Sequence, residues 1–239
     1  MNSTRQVKYF LILSFLFFNF YYDVLQAKKV ARSGGEKGGL SVTEIKLPKV
    51  AVNSNNSIEK VLSSRRSVRS YKNDPLILNQ VSQLLWSTQS ITSPRGLRIA
   101  PSAGALYPLE IYLIAGNVKD LPAGVYKYDY TNHKIKKVVD GDKRAEMCDA
   151  CLGQSSVKEG AINILICGIY QRTTGKYGDR GKQYVHVEVG CVAQNVYLQV
   201  ESLGLGTVYI GALNDKQIQQ IAKLPAKEIP FCVLPVGKK

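Results

Sequence analysis

Hydrophobic and polar positions divide this chain into an apolar N-terminal run, a polar stretch and a long patterned body. Tyr9 to Tyr22 is almost unbroken apolar and aromatic sequence, preceded by Arg5 and Lys8 and ended by Asp23. It falls short of the roughly 20 residues a spanning helix needs. Residues 1–27 read as a signal peptide cleaved after Ala27. Leu25 occupies a position where a small residue is preferred, so they also fit an uncleaved N-terminal anchor, a membrane tether. Residues 28–56, rich in Gly, Lys, Ser and Asn, predict a flexible linker. Patterning begins at Ser57, which can cap a short helix over 58–63. Asn73-Asp74-Pro75 marks a turn. Val81, Leu84 and Leu85 share one face of a second helix over 79–88. Residues 92–108 read as loop and 109–115 as a strand. Residues 124–128 and 134–139 form a hairpin, 143–152 a helix and 161–169 a buried strand.

The longest periodic element spans 183–203. Val185, Val189, Val192, Val196, Val200 and Leu203 recur at spacings of three and four, which places them on one helical stripe facing a core or a partner subunit. Valine has weak helix propensity, so burial must hold this helix. Residues 171–182, rich in Gly, Arg and Lys, read as an exposed loop. After Gly204-Leu205-Gly206 come a strand over 207–210, a short helix over 215–223 and a last strand over 230–236. Strands and helices alternate, but hairpins intervene. The expected class is α+β, with a mixed, mainly antiparallel sheet flanked by helices in one domain over 57–239.

Composition narrows the function. Hydrophobic content of 45% and charged content of 21% are ordinary for a globular protein and exclude general disorder. The net charge of +14 favours anionic partners. Its lysines and arginines are scattered, and no nucleic-acid motif accompanies them, so no nucleic-acid partner is expected. The five cysteines leave at least one thiol unpaired within a monomer. Cys148 and Cys151 have the spacing of a redox dithiol, or of two small buried residues on one helix face. His133 and His186 sit in no metal-ligand spacing, so no metal site is expected.

Candidate chemistry concentrates in three segments. Ser64 to Tyr71 (SRRSVRSY) carries three guanidinium groups and three serine hydroxyls within eight residues, a set suited to one phosphate group. Pro101 to Leu106 (PSAGAL) uses small residues and Val208 to Ala212 (VYIGA) ends in two, which let backbone approach a flat ligand. A phosphate clamp with two close-approach loops describes a phosphorylated planar ligand, which is the shape of FMN. The Gly-rich turn of a dinucleotide fold is absent.

Over roughly residues 48–239 the chain resembles the nitroreductase-like flavin family, and within it the SagB/thiazole-oxidase-type dehydrogenase branch. The resemblance rests on five segments: Arg65 to Arg69, Pro101 to Leu113 (PSAGALYPLEIYL), Lys176 to Gly181 (KYGDRG), Glu188 to Asn195 followed by GLG, and Leu234 to Lys238. It implies a homodimer holding FMN at the subunit interface. Arg65, Arg66, Ser67 and Arg69 would bind the phosphate and ribityl end. Pro101, Ser102, Ala103 and Gly104 would line the isoalloxazine from the other subunit. Gly211 and Ala212 would approach its opposite edge, and Lys238 would add a charge near the phosphate. Lys176-Tyr177 matches a pair linked to catalysis in azoline-oxidising members. There a lysine desolvated by burial, or a phenolate, could accept the proton removed as hydride leaves. Cys191 stands where a histidine is usual, and Tyr209 where a proline is. The resulting expectation is an exported (periplasmic or secreted) FMN-dependent oxidoreductase with a small organic substrate. The alternatives are an NAD(P)H-dependent nitroreductase and a non-catalytic flavin-fold binding module.

Overall fold

In the computed structural model, which describes residues 43–239, a seven-stranded sheet separates two hydrophobic cores. The expected signal peptide or anchor over 1–27 lies outside the described residues. Strand order is β1 (Glu44–Lys46), β6 (Lys134–Asp140), β5 (Gly124–Asp129), β3 (Leu109–Ala115), β7 (Ile162–Gly168), β9 (Ile229–Lys238) and β8 (Leu205–Thr207). Every neighbouring pair in this sheet is antiparallel. A parallel pair, β2 (Leu76–Ile77) with β4 (Val118–Lys119), stands apart from it.

The central strands are buried at every position because both sheet faces are covered. Alternation divides their side chains. Ile111, Leu113, Ile164 and Ile166 enter one core, and Tyr112, Ile114, Leu165 and Cys167 the other. Over the first core lie α2 (Leu78–Gln89) and α6 (Arg180–Ser202). Val185, Val189, Val192, Val196 and Val200 are all at most 2% exposed, so the valine stripe faces this chain's own core. Over the second core lie α3 (Arg144–Ala150), α4 (Ser155–Glu159) and α7 (Asp215–Ile221), through Met147, Val157 and Ile218. The CxxC pair belongs here. Cys148 and Cys151 are free and buried, and burial pushes the Cys151 thiol up to about 12. That is the chemistry of packing rather than of a reactive dithiol.

Two sequence expectations are corrected. The segment read as linker is folded from Glu44 onward: Glu44–Lys46 pairs with Lys134–Lys136, and Leu47 is buried. Gln83 holds Ala51 at both its N–H and its carbonyl, each at 2.9 Å. A three-residue edge strand is too short to show an alternation, and polar residues around it hide the contact. The segment 171–182 is mostly helical rather than loop. α5 (Gln171–Tyr177) ends at Gly178, whose φ of 55° breaks it, and α6 begins at Arg180. Gly175 and the charges lie on exposed turns of the helices, Gly178 separates them and Gly181 is buried where the helices meet, and together these mask the helical period. The remaining short helix, α1 (Ile58–Ser64), is capped as expected by Ser57, whose hydroxyl accepts from Lys60 N–H at 3.2 Å.

Candidate functional site

The arginine-rich run leaves the end of α1 and crosses the ends of β8 and β9. Val68 N–H donates to Thr207 O at 2.8 Å and Lys72 N–H to Lys238 O at 2.9 Å. The backbone sits this close because two facing residues are glycines. A Cβ on Gly206 would stand 2.7 Å from the Val68 side chain, and one on Gly237 would stand 2.7 Å from Tyr71 Cβ. Tyr71 fastens the turn by donating to Val68 O at 2.7 Å and reaching Pro235 O at 3.2 Å.

Around this run the structure gathers Arg65, Ser67, the backbone of Lys238 and, through Tyr209, Gly211, whereas the Ala212 carbonyl accepts from Gln154 Nε2 at 3.4 Å. The link is Tyr197 of α6, which motif reading missed. The Arg65 guanidinium lies 5.1 Å from the Tyr197 ring centre. Tyr209 N–H donates to the Tyr197 hydroxyl at 2.8 Å, and that hydroxyl pairs with Ser67 Oγ at 3.2 Å. With Tyr197 accepting from Tyr209, its own proton can go to Ser67 Oγ. The Ser67 O–H is then left to donate outward. Gly211 packs against the Tyr209 ring. Arg66 turns back, donating to Ser63 O at 3.1 Å and Arg65 O at 2.8 Å, so its role here is to close α1. Arg69 is exposed. Nearby, a cleft of about 770 Å³ runs between residues 49–56, α1, α2 and the end of α6, and Asn195 is among its lining residues. Asn195 Nδ2 is a buried donor without a partner.

The second group forms around Pro101, Ser102, Ala103 and Gly104. Gly104 takes φ 61°, followed by Ala105 at 53° and Tyr107 at 46°, so this loop holds several residues in the left-handed region. Ser102 Oγ accepts Tyr107 N–H at 2.9 Å. Arg172 of α5 donates to Tyr107 O at 3.0 Å and to Glu110 at 2.6 Å, tying the loop to that helix. The same helix ends in Lys176 and Tyr177. A Cβ on Gly104 would stand 2.8 Å from the Tyr177 hydroxyl and 3.1 Å from Lys176 Nζ. The residues singled out as catalytic thus overhang the small-residue loop of their own chain. Lys176 is exposed, so the burial expected for a lysine base is not supplied by the single chain.

Beneath the loop lies a polar chain whose members no sequence pattern brings together. Arg98 is stacked between Tyr107 and Tyr130, 4.2 and 3.6 Å from their ring centres. It donates to Gln89 Oε1 at 3.1 Å, and Gln89 Nε2 donates to Glu188 at 3.2 Å. Glu188 is 3% exposed, and burial holds its carboxyl above the usual carboxylate range against hydrogen bonds from Ser102 and Gln89.

Both groups hang on α6, through Glu188 and through Tyr197. Nine residues separate these positions, which is about two and a half helical turns, or roughly 13 Å along the axis. They lie on opposite sides of the helix, so the structure does not bring the arginine group and the Gly104 group together within one chain. Each group fits part of a flavin mononucleotide. A half-buried Arg65, an exposed Arg69 and a serine hydroxyl able to donate outward suit a phosphate. A glycine-floored loop beneath a lysine and a tyrosine suits a planar ring.

The comparisons agree with this architecture. The model of the family described as "Nitroreductase family" matches residues 62–238. A Methanocaldococcus jannaschii protein assigned to the nitroreductases is 45% identical over 196 residues, covering 82% of this chain and 96% of that one. The FMN reductase [NAD(P)H] of Bacillus subtilis is 24% identical, over 76% and 66% of the two chains. The microcin B17-processing protein McbC of Escherichia coli is 25% identical over 64% of this chain, which spans 59% of McbC. Among solved structures, a Ralstonia eutropha protein in the nitroreductase class superposes with a TM-score of 0.71 at 26% identity, covering 86% of this chain and 95% of the other.

Proposed function

The chain belongs to the nitroreductase family, and from that premise we propose that it is an FMN-dependent oxidoreductase whose site is completed between two copies. The observation that carries this reading is the division of the candidate residues into two groups on opposite sides of α6. One offers cations and a hydroxyl, and the other a glycine-floored loop. A second copy would bring the arginine group of one chain to the Gly104 loop of its partner.

Arg65, Arg69 and the Ser67 hydroxyl would hold the phosphate, with Lys238 adjacent and Arg66 serving α1. Pro101 to Gly104 would support the ring, and Gly211 and Ala212 would approach its other edge. When bound, the flavin supplies hydride transfer to or from carbon. Lys176 and Tyr177 would handle the proton that accompanies it at the substrate atom, the lysine becoming desolvated once substrate or the second copy covers it. The likeness to McbC favours the SagB-type branch and an organic substrate that is dehydrogenated. The likeness to the Bacillus reductase favours NAD(P)H as electron donor. Export through residues 1–27 completes the proposal and is read by N-terminal sequencing of the mature protein.

The test is the colour of the purified protein and the reductant it accepts. The proposal expects a yellow protein that dithionite bleaches, and anaerobic bleaching by NADPH, NADH or a thiazoline then identifies the donor. A bleaching flavin that none of these reduces would leave only the non-catalytic module standing.

A further inference from the structure

The charged side chains at the Gly104 loop are unevenly satisfied. Arg172 is paired with Glu110 at 2.6 Å, and Lys182 with Asp179 at 3.2 Å. Lys176 and Arg180 have no acidic partner among the described residues, and both approach aromatic rings instead. Lys176 Nζ lies 5.4 Å from the centre of the Tyr177 ring, and the Arg180 guanidinium 5.8 Å from that of Tyr184. The two rings meet edge to face, 5.2 Å apart at an interplanar angle of 87°. Two unpaired cations therefore flank a pair of tyrosines, and one of those tyrosines reaches the floor of the loop at Gly104.

This arrangement has a chemical preference. Tyrosine faces and edges accept a planar group. A guanidinium receives a carboxylate through two parallel N–H donors, and a lysine ammonium adds a point charge. A neutral ring would find the aromatic walls but would leave both cations unanswered. We propose that this entrance selects a planar anionic substrate, in its simplest form an aromatic carboxylate, with Arg180 and Lys176 receiving the anion and the contacting Tyr177–Tyr184 pair forming one aromatic wall beside the ring. The inference rests on the flavin reading above, which makes the Gly104 loop the place where substrate stands.

The test uses the full chain loaded with oxidised FMN, to which 4-nitrobenzoate and its neutral analogue 4-nitrobenzamide bind without reacting. Calorimetry measures both dissociation constants. Charged hydrogen bonds at a partly exposed site predict a preference of about tenfold for the carboxylate at low salt. That preference shrinks as ionic strength rises from roughly 0.02 M to 0.3 M, as screening requires. Arg180→Gln brings the ratio toward one, and Arg180→Lys keeps part of it. A merely structural arginine would weaken both ligands together. An FMN-loaded protein with equal affinities, or a preference unmoved in Arg180→Gln, overturns this inference and leaves the flavin reading intact. A folded protein that takes up no FMN overturns the flavin reading and this inference with it.

Discussion

At the scale of single residues, the two groups hang on the Tyr197 hydroxyl and the Glu188 carboxyl, whose partners no motif names. Tyr197 accepts Tyr209 N–H and pairs with Ser67 Oγ, which lets the Ser67 hydroxyl donate outward. Tyr197→Phe keeps the ring beneath Arg65 and removes the oxygen, so FMN affinity should fall about three- to tenfold, the worth of one hydrogen bond. Fluorescence titration of the apoprotein with FMN measures it. Glu188 gives a pH-dependent signature. Burial raises its folded-state value above that of the unfolded chain. Between the two values the folded protein binds more protons than the unfolded one, so its stability falls as pH rises through that window and levels off above it. Glu188→Gln has no proton to bind. The melting temperature of the native protein relative to this variant should therefore decline as pH rises from about 4, where ordinary carboxylates titrate. Parallel melting curves across that range would contradict the assignment.

At the scale of elements, the arginine run is held in place by what its neighbours lack. Gly206 and Gly237 leave room for Val68 and Tyr71. Gly237→Ala would put a methyl 2.7 Å from Tyr71 Cβ, an atom with no freedom to swing away. The run must lift from β9, at a cost of about 1–3 kcal/mol in urea unfolding, and FMN affinity should fall with it. Most elements were legible in the sequence because their patterns are strong. The apolar run at 161–169, the valine stripe of α6 and the Ser57 cap reflect local chemistry that burial then enforces. β1 and α5 were not legible. β1 is stabilised by pairing with Lys134–Lys136, ninety residues away, and α5 by Arg172 reaching Glu110 and Tyr107. Contacts of that kind leave no periodic trace. The same holds within the site. Arg65, Ser67 and Gly104 could be picked out by residue type, whereas Tyr197 and Glu188 take their roles from where α6 crosses the sheet and Arg98 from its place between Tyr107 and Tyr130.

At the scale of the whole molecule, the two candidate groups lie on opposite sides of α6, and the proposed site needs two chains. Sedimentation at micromolar concentration should show a dimer. The most direct test is the FMN content of a mixed dimer. One chain carries Arg65→Ala with Arg69→Ala, and the other carries Gly104→Leu, which a φ of 61° and the Tyr177 hydroxyl both oppose. Each variant alone should purify without flavin. Co-expressed and isolated as the mixed dimer, they retain one site with an intact arginine run and an intact loop, and the account predicts one bound FMN per dimer by its visible absorbance. A mixed dimer that stays colourless while the unaltered protein binds FMN would contradict a site shared between chains.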